Sequence, residues 1–176
     1  MKFPSKAICL CAAVIASLAA PAFAQKKERL SAGPTSLQEI YQDWRLSCTA
    51  RDDARACVVA QDQTQQNGQR LLAIEIGVGP NDAVATLLLP FGILFDNGVT
   101  PQIDEQPPLQ PVRFRTCLPT GCIAILPIDA ATLAKLRGGS FLKLTVTTAA
   151  QTSMTFPVSL NGLTGAFDRL KSLTGS

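Results

Sequence analysis

Short runs of alternating apolar and polar residues constrain the fold of this chain more than any other feature. In the clearest run, Leu72, Ile74, Ile76 and Val78 project to one side of an extended chain and the residues between them to the other. Similar runs occur at 44–48, 112–117, 122–126, 142–146 and 156–160. About nine short strands, separated by turn residues at intervals of roughly ten residues, predict an all-β fold, an antiparallel sandwich or barrel.

Asn-Gly pairs mark two of the expected turns. Asn-Gly at 67–68 predicts a hairpin that runs from a short strand at 57–60, through a polar tract, into the clearest alternating run. Asp-Asn-Gly at 96–98 predicts a second hairpin, between strands at 93–95 and 99–103.

One further strand and three short helical segments complete the expected elements. The continuous apolar run 85–89 predicts a strand buried on both faces. Asp129 is expected to cap a short helix that the glycines at 138–139 stop. Helical spacing also predicts a single turn with Leu37, Ile40 and Tyr41, and a final amphipathic segment with Leu163, Phe167 and Leu170.

The first 24 residues have the organisation of a secretory signal peptide. Lys2 and Lys6 supply a positive start, 7–20 is apolar, and an Ala-Phe-Ala cleavage box ends at Ala24. A retained membrane anchor is disfavoured because the apolar run is shorter than the roughly 18 residues that a span requires. We therefore predict an exported protein that is periplasmic, surface-associated or secreted, with no membrane span after cleavage.

The processed chain is expected to contain a leader and one domain. Residues 25–36 are polar and charged, which predicts a flexible leader, and 37–173 carry the strand pattern of a single core. Cleavage removes 24 of 176 residues and two lysines, so 152 residues remain and the formal net charge falls from +3 to +1. This small net charge predicts no binding to nucleic acid and no strong attraction to anionic lipid. The sequence does not specify an oligomeric state.

Four cysteines follow the signal peptide: Cys48, Cys57, Cys117 and Cys122. An even number in an exported chain predicts disulfides, for which three pairings are open. We favour the two local pairings, Cys48 with Cys57 and Cys117 with Cys122, and expect all four cysteines to be structural. A disulfide oxidoreductase is expected to carry Cys-x-x-Cys at a helix N-terminus, whereas these pairs are separated by eight and four residues in strand and turn surroundings.

Patterns typical of catalysis or metal binding are incomplete. The chain has no histidine, which excludes Ser-His-Asp and Cys-His nucleophiles and disfavours zinc. The turn at 96–98 resembles the start of a calcium loop but lacks the distal acidic ligand. Ser140 and Lys143 have Ser-x-x-Lys spacing, but in a strand they project to opposite faces, as do the adjacent Asp104 and Glu105. We therefore predict no catalytic residue and no metal site.

Two remaining patterns also have simple structural explanations. Gly-x-Gly at 77–79 lacks the third glycine and the following helix of a dinucleotide loop, so no cofactor site is predicted. Arg113 and Arg115 lie on one face of their expected strand, where a solvated face is the simpler interpretation and an acidic partner the alternative.

Several short motifs follow one another in an order that identifies a family. They are Asp43-Trp44 with Cys48 behind it, Leu89-Pro90-Phe91-Gly92-Ile93, Asn97-Gly98-Val99, Ile103-Asp104, Cys117-x-Pro119-x-Gly121-Cys122, a helix at 133–138, and Pro157-Val158-Ser159-Leu160-Asn161-Gly162. This order, within about 37–173, resembles the invasion-associated locus B family of Gram-negative α-proteobacteria.

The resemblance implies a fold and an absence of catalysis. It implies an exported protein with an immunoglobulin-like β-sandwich, one or two short peripheral helices and no enzymatic activity, linked in pathogenic members to entry into host cells. The family has no catalytic motif to carry over, so only the four cysteines transfer, as structural residues.

These observations favour a non-enzymatic binding or interaction protein of the cell envelope. We expect a strand face or loop end of the sandwich to contact a protein or another envelope or host macromolecule. Two alternatives stay open: an envelope thiol-disulfide or stress-related enzyme, and a periplasmic small-molecule binder with a pocket between the sheets.

Overall fold

The computed structural model describes residues 36–51, 54–79 and 83–175, and antiparallel strands make up most of these described residues. The described elements, in chain order, are β1 (Ser36–Tyr41), β2 (Trp44–Arg51), β3 (Ala54–Thr64), β4 (Arg70–Val78), β5 (Ala83–Leu89), β6 (Thr100–Ile103), β7 (Phe114–Leu118), β8 (Gly121–Ile128), α1 (Ala130–Gly138), β9 (Phe141–Thr147), β10 (Ser153–Ser159) and α2 (Leu163–Thr174). The predicted signal peptide and all of the predicted leader except Ser36 lie outside the described residues.

The strands form two sheets that share one hydrophobic core. Seven strands are ordered β1-β2-β3-β4-β5-β8-β7, and three are ordered β10-β9-β6. Leu46, Val59 and Ile74 of the larger sheet and Leu144 and Val158 of the smaller one are fully buried in this core. The predicted all-β class, an antiparallel immunoglobulin-like sandwich with one or two short helices, is confirmed.

The two helices begin and end close to where the sequence predicts. Asp129 caps α1 by accepting a hydrogen bond from the backbone N–H of Thr132 (2.7 Å), and α1 ends at Gly138. The predicted apolar face of α2 is buried, and the helix packs across β1–β4. Neither helix of the described residues is long and apolar enough to cross a bilayer.

Residues 36–41 form a strand, so the helical turn predicted there is wrong. β1 pairs antiparallel with β2 over its whole length. Leu37 and Tyr41 pack against the core, whereas Ile40 is 68% exposed on the opposite side. Glu39 faces the same side as Leu37 and is bonded to Arg169 of α2. Pairing with β2 and contact with α2 therefore outweigh the local helical spacing.

The turn at 96–98 is present, but the hairpin predicted around it is wrong. Gly98 has φ +63° and donates its backbone N–H to the carbonyl of Phe95 (3.0 Å). Ile93 forms an isolated bridge with Thr148, and β6 pairs with β9 instead of with the segment before the turn. Strands distant in sequence therefore provide the pairing.

Two strands differ from the prediction in length or burial. β3 continues through the polar tract to Thr64, and Gly68 (φ +79°) lies in the predicted turn into β4. β5 is buried on its inner face only, so the prediction of burial on both faces is wrong. Its outward residues stay half-exposed: Val84, Thr86 and Leu88.

Side chains of the larger sheet bond to the edge strand of the smaller one. Gln61 Nε2 donates to the Ser159 carbonyl (3.1 Å), and Gln63 Nε2 donates to the Pro157 carbonyl (2.6 Å). Trp44 Nε1 also donates to the Ser159 carbonyl (2.9 Å). These acceptors lie on β10, an edge strand, so the bonds both join the two layers and occupy groups that an edge offers to other chains.

Candidate functional site

The four cysteines form two disulfides in separate hairpins. Cys48 on β2 is bonded to Cys57 on β3, and Cys117 on β7 to Cys122 on β8. Each pair lies directly cross-strand, with Cα–Cα distances of 4.0 and 3.9 Å. β4 and β5 lie between the two hairpins, so the four sulfurs do not form one site. In the disulfide state none of these sulfurs is a nucleophile.

The carboxylates and the Ser-x-x-Lys pair considered as catalytic candidates are engaged separately. Asp104 Oδ1 accepts hydrogen bonds from the backbone N–H groups of Ser140 (3.1 Å) and Phe141 (2.8 Å). Glu105 forms an ion pair with Lys143. Asp104 therefore anchors the start of β9, and Lys143 bonds to a carboxylate rather than to the Ser140 hydroxyl. Within the described ranges, no group of three or more His, Cys, Asp or Glu could hold a metal ion.

The first and last motifs of the family resemblance meet in one structural joint. Asp43 Oδ2 accepts a hydrogen bond from Ser159 Oγ (2.6 Å), and its backbone N–H donates to the Asn161 carbonyl (3.4 Å). The Trp44 indole contacts the same turn through the Ser159 carbonyl. Gly162 has φ +91°, and a Cβ there would lie 2.0 Å from the carbonyl oxygen that ends β1. These motif residues therefore hold the β1–β2 turn against the β10–α2 turn.

An ion pair fastens α2 to the edge strand β1. The Arg169 guanidinium donates to both carboxylate oxygens of Glu39, at 3.0 to 3.3 Å, and the Tyr41 hydroxyl donates to the same carboxylate at 2.7 Å. The bond from Arg169, together with that from Tyr41, lowers the pKa of Glu39 below its usual value. The same bond to Glu39 raises the pKa of Tyr41. These bonds join α2 to the edge strand β1.

The outer face of the seven-stranded sheet carries apolar side chains that no described element covers. Ala73, Leu88 and Ile123 are direct neighbours across β4, β5 and β8, and all three are half-exposed. A cleft of about 340 Å³ lies over this row. Leu118 and Thr120, at the β7–β8 turn, close its far side.

We call the whole cleft the outer-face cleft. Charged side chains line the end of it that β2, β3 and β4 form. Asp62 on β3 accepts from Arg45 Nη2 (3.0 Å) and from Arg70 Nε (3.2 Å), and each of the three side chains is 30–47% exposed. Glu75 and Thr86, paired across β4 and β5, line the same cleft. The guanidiniums of Arg45 and Arg70 and the carboxylates of Asp62 and Glu75 therefore lie beside the apolar row, which forms the floor of the cleft.

Sequence reasoning missed the residues of the outer-face cleft. Asp62 falls in the tract interpreted only as polar, and the small-molecule alternative placed a pocket between the sheets rather than outside them. The favoured pairing of Cys48 with Cys57 contained a usable signal, because it sets the register that places Arg45 opposite Ala60. Asp62, two residues further along, then lies on the same face and within reach of Arg45.

Comparison with known proteins gives consistent matches over most of the chain. The family model described as invasion associated locus B (IalB) protein matches residues 44–171. An invasion protein B homolog of Brucella abortus (strain 2308) is 38% identical over 148 residues, which cover 82% of this chain and 85% of the relative. Invasion protein B of Bartonella bacilliformis is 30% identical over 145 residues, which cover 80% of this chain and 78% of that protein.

A solved structure agrees with these matches. The crystal structure of invasion associated protein b from Bartonella henselae superimposes with a TM-score of 0.73 at 30% identity, covering 79% of this chain and 97% of that chain. The family match spans both disulfides, Trp44 and the β10–α2 turn of the joint, and the strand residues that line the outer-face cleft. The chain belongs to the invasion associated locus B family.

Proposed function

We propose that this protein is an exported, non-enzymatic binding protein of the cell envelope whose partner is a protein that docks on the outer-face cleft. The observation that carries the proposal is the apolar row of Ala73, Leu88 and Ile123, which none of the described elements covers and which lies beside a charged end. An apolar centre with a polar rim is the usual anatomy of a protein–protein interface. The names of the relatives, which are invasion proteins, support a role in entry into host cells.

The charged end of the cleft supports recognition of a polar group on the partner. Arg45 uses Nη2 and Arg70 uses Nε to hold Asp62, so the remaining N–H groups of both guanidiniums stay available as donors. Asp62 fixes both guanidiniums in place, which reduces the entropy lost when a partner binds them. A carboxylate or carbonyl group of the partner fits this end, and an aliphatic or aromatic side chain fits the floor.

The chemistry of the chain supports a binding role over a catalytic one. The chain has no histidine, and Cys48, Cys57, Cys117 and Cys122 are held in disulfides. We propose that these disulfides act as structural cross-links of a single domain at 37–173. Two disulfides also support export, because such bonds persist in oxidising compartments such as the periplasm or the cell exterior.

A binding experiment with matched surface variants tests the proposal. The processed protein is cross-linked to envelope fractions and to host-cell extracts, each captured protein is identified, and its affinity is measured with the purified partner. Leu88→Glu with Ile123→Glu places two carboxylates on the apolar floor and should weaken binding by about a hundredfold, since each disrupts a buried contact worth about 1–2 kcal/mol. Thr155→Glu, on the exposed outer side of β10, is the matched control and should bind normally.

The competing outcomes are distinct. Loss of affinity in the floor variant alone, with an unchanged circular dichroism spectrum, supports docking on this face. A partner that binds the floor variant as tightly as the wild type would contradict it.

A further inference from the structure

The two disulfides differ in their exposure to solvent. Cys48 is 2% and Cys57 8% exposed, so both ends of the first disulfide are buried. Cys122 is 1% exposed, whereas its partner Cys117 is an exposed residue. Thiol–disulfide exchange requires a thiolate to reach one of the two sulfurs, and exposed disulfides are the labile or regulatory ones. The second disulfide therefore offers an external thiol an approach that the first disulfide lacks.

The position of each disulfide in the sheet adds to this difference. β2 and β3, which carry the first disulfide, are each paired with a strand on both sides. β7, which carries Cys117, is an edge strand that pairs with β8 alone among the described strands, and its register shifts between Phe114 and Thr116. Local opening is easiest where a segment has few partners. A thiol therefore reaches the first disulfide only after two doubly paired strands have separated.

The turn that the second disulfide closes forms one wall of the outer-face cleft. The disulfide encloses 118–121, and Leu118 and Thr120 of this turn line the cleft. At the other end of β7, the Phe114 ring packs against the Phe95 ring with centroids 5.1 Å apart, and this contact does not depend on the disulfide. Loss of the cross-link therefore frees mainly the end of β7 that carries the cleft wall.

We propose that the Cys117–Cys122 disulfide is a thiol-exchange site whose reduction loosens the wall of the outer-face cleft and weakens binding there. A thiolate of a dithiol reductant attacks the Cys117 sulfur and forms a mixed disulfide with it. The Cys122 sulfur leaves with the electron pair of the broken bond and takes up a proton. The second thiol of the reductant then attacks the mixed disulfide and releases Cys117 as a thiol. The protein gains two electrons and two protons, and the reductant becomes a disulfide.

The inference rests on the proposed function, because the regulated surface is the same cleft. It adds a second role to a disulfide that also cross-links the fold. In the oxidised state the turn is held in place, so a partner that docks loses little entropy in ordering the wall. In the reduced state that ordering has to occur on binding, which lowers the affinity.

Timed alkylation of the folded protein tests the exchange step. Protein that the expressing cell has exported and processed, with its N-terminus verified, is incubated with dithiothreitol, and samples are quenched with iodoacetamide and digested for mass spectrometry. Cys117 and Cys122 should become alkylated about a hundredfold faster than Cys48 and Cys57, since the buried pair reacts only through opening of the sheet. Equal rates for the two pairs, or faster reaction of the first pair, would overturn the proposal.

Hydrogen exchange measures the effect on the cleft wall without a partner. Cys117→Ala with Cys122→Ala, the hairpin variant, represents the reduced state, and Cys48→Ala with Cys57→Ala is the matched control that removes the other disulfide. Amide exchange within 115–121 should rise about thirtyfold in the hairpin variant, the factor given by the entropy of closing a loop of five residues, and should stay near the wild-type rate in the control. An equal rise in both variants, or no rise in either, would contradict the proposal.

Binding distinguishes this inference from the proposed function. The partner identified by cross-linking should bind the hairpin variant about tenfold more weakly than the wild type, because two wall side chains have to be ordered on docking. Unchanged affinity of the hairpin variant for a partner that Leu88→Glu with Ile123→Glu no longer binds would overturn the regulation alone. A partner that binds this floor variant normally would contradict the proposed function and the effect on binding, whereas the alkylation and exchange results would still decide the thiol-exchange site.

Discussion

Replacing cysteine pairs by alanine should destabilise the fold by amounts set by the loops that the disulfides close. Cys48 and Cys57 are nine residues apart, and Cys117 and Cys122 five. If the cross-links act by restricting the unfolded chain, their removal lowers the free energy of unfolding by about 2.6 and about 2.1 kcal/mol, respectively. Domains are stabilised by only about 5–15 kcal/mol, so removing both disulfides takes away a large part of the stability.

Urea unfolding followed by circular dichroism measures these losses. With a denaturant slope of about 2 kcal/mol per molar, the midpoint should fall by about 1.3 M without the first disulfide and about 1 M without the second. The variant that lacks all four cysteines should be insensitive to reductant, and the wild type should approach it when reduced. A wild-type protein that keeps its midpoint after mass spectrometry shows complete reduction would refute the reasoning.

Three further perturbations test other parts of the structure. Gln61→Leu and Trp44→Phe each remove one hydrogen-bond donor to the Ser159 carbonyl, and each lost bond should cost about 1 kcal/mol of unfolding free energy. The double variant should cost more than the sum of the two, because the carbonyl then loses both donors. Thermal unfolding measures this coupling, and strictly additive losses would contradict it. The pKa of Glu39 is lower in the folded state than its usual value of about 4.5, so its ion pair with Arg169 stabilises the fold above that pH, and this stability is lost as the pH falls through the lower folded pKa. Glu39→Gln should therefore reduce the fall of the melting temperature in acid. An unchanged dependence of the melting temperature on pH would contradict this assignment. Gly162→Ala combines a positive φ with a clash against backbone and should cost about 3 kcal/mol or more. Gly138→Ala meets no atom within 4 Å in α1 and should stabilise the fold slightly, by about 0.4–1 kcal/mol, in the same urea assay.

Elements with a strong local signal were predictable from the sequence. Strand β4 follows from strict alternation, and its connection to β3 follows from an Asn-Gly pair that places Gly68 at positive φ. α1 follows from the capping carboxylate of Asp129 and from the glycines that stop the helix. In each case the physical cause lies within a few residues, so no distant partner has to be known.

Elements decided by distant partners were not predictable. Leu37 and Tyr41 fit a helical turn as well as a strand, and contact with β2 and α2 selects the strand. The segment around Ile93 lies next to a turn that favours a hairpin, yet its partner Thr148 is more than fifty residues away. Short segments have too few residues for periodicity alone to separate the alternatives.

The candidate site was less predictable than the fold. The motifs that reveal the family, such as Asp43 and Gly162, serve the joint between two turns and give no indication of a binding surface. The outer-face cleft is lined by a few residues from each of six strands, and Leu88 looks in sequence like part of a fully buried run. Only the strand order shows that no other described strand covers its outward face.

Each disulfide joins two cysteines that are consecutive in the sequence, which has a consequence for the proposed export. If the chain is exported as proposed, Cys57 emerges nine residues after Cys48, before either cysteine of the second hairpin has crossed the membrane. An oxidase that acts as each thiol appears then makes the native bond first, since no competing thiol from that hairpin is present. On the proposed export route, formation of the native disulfides therefore requires an electron acceptor but no isomerase.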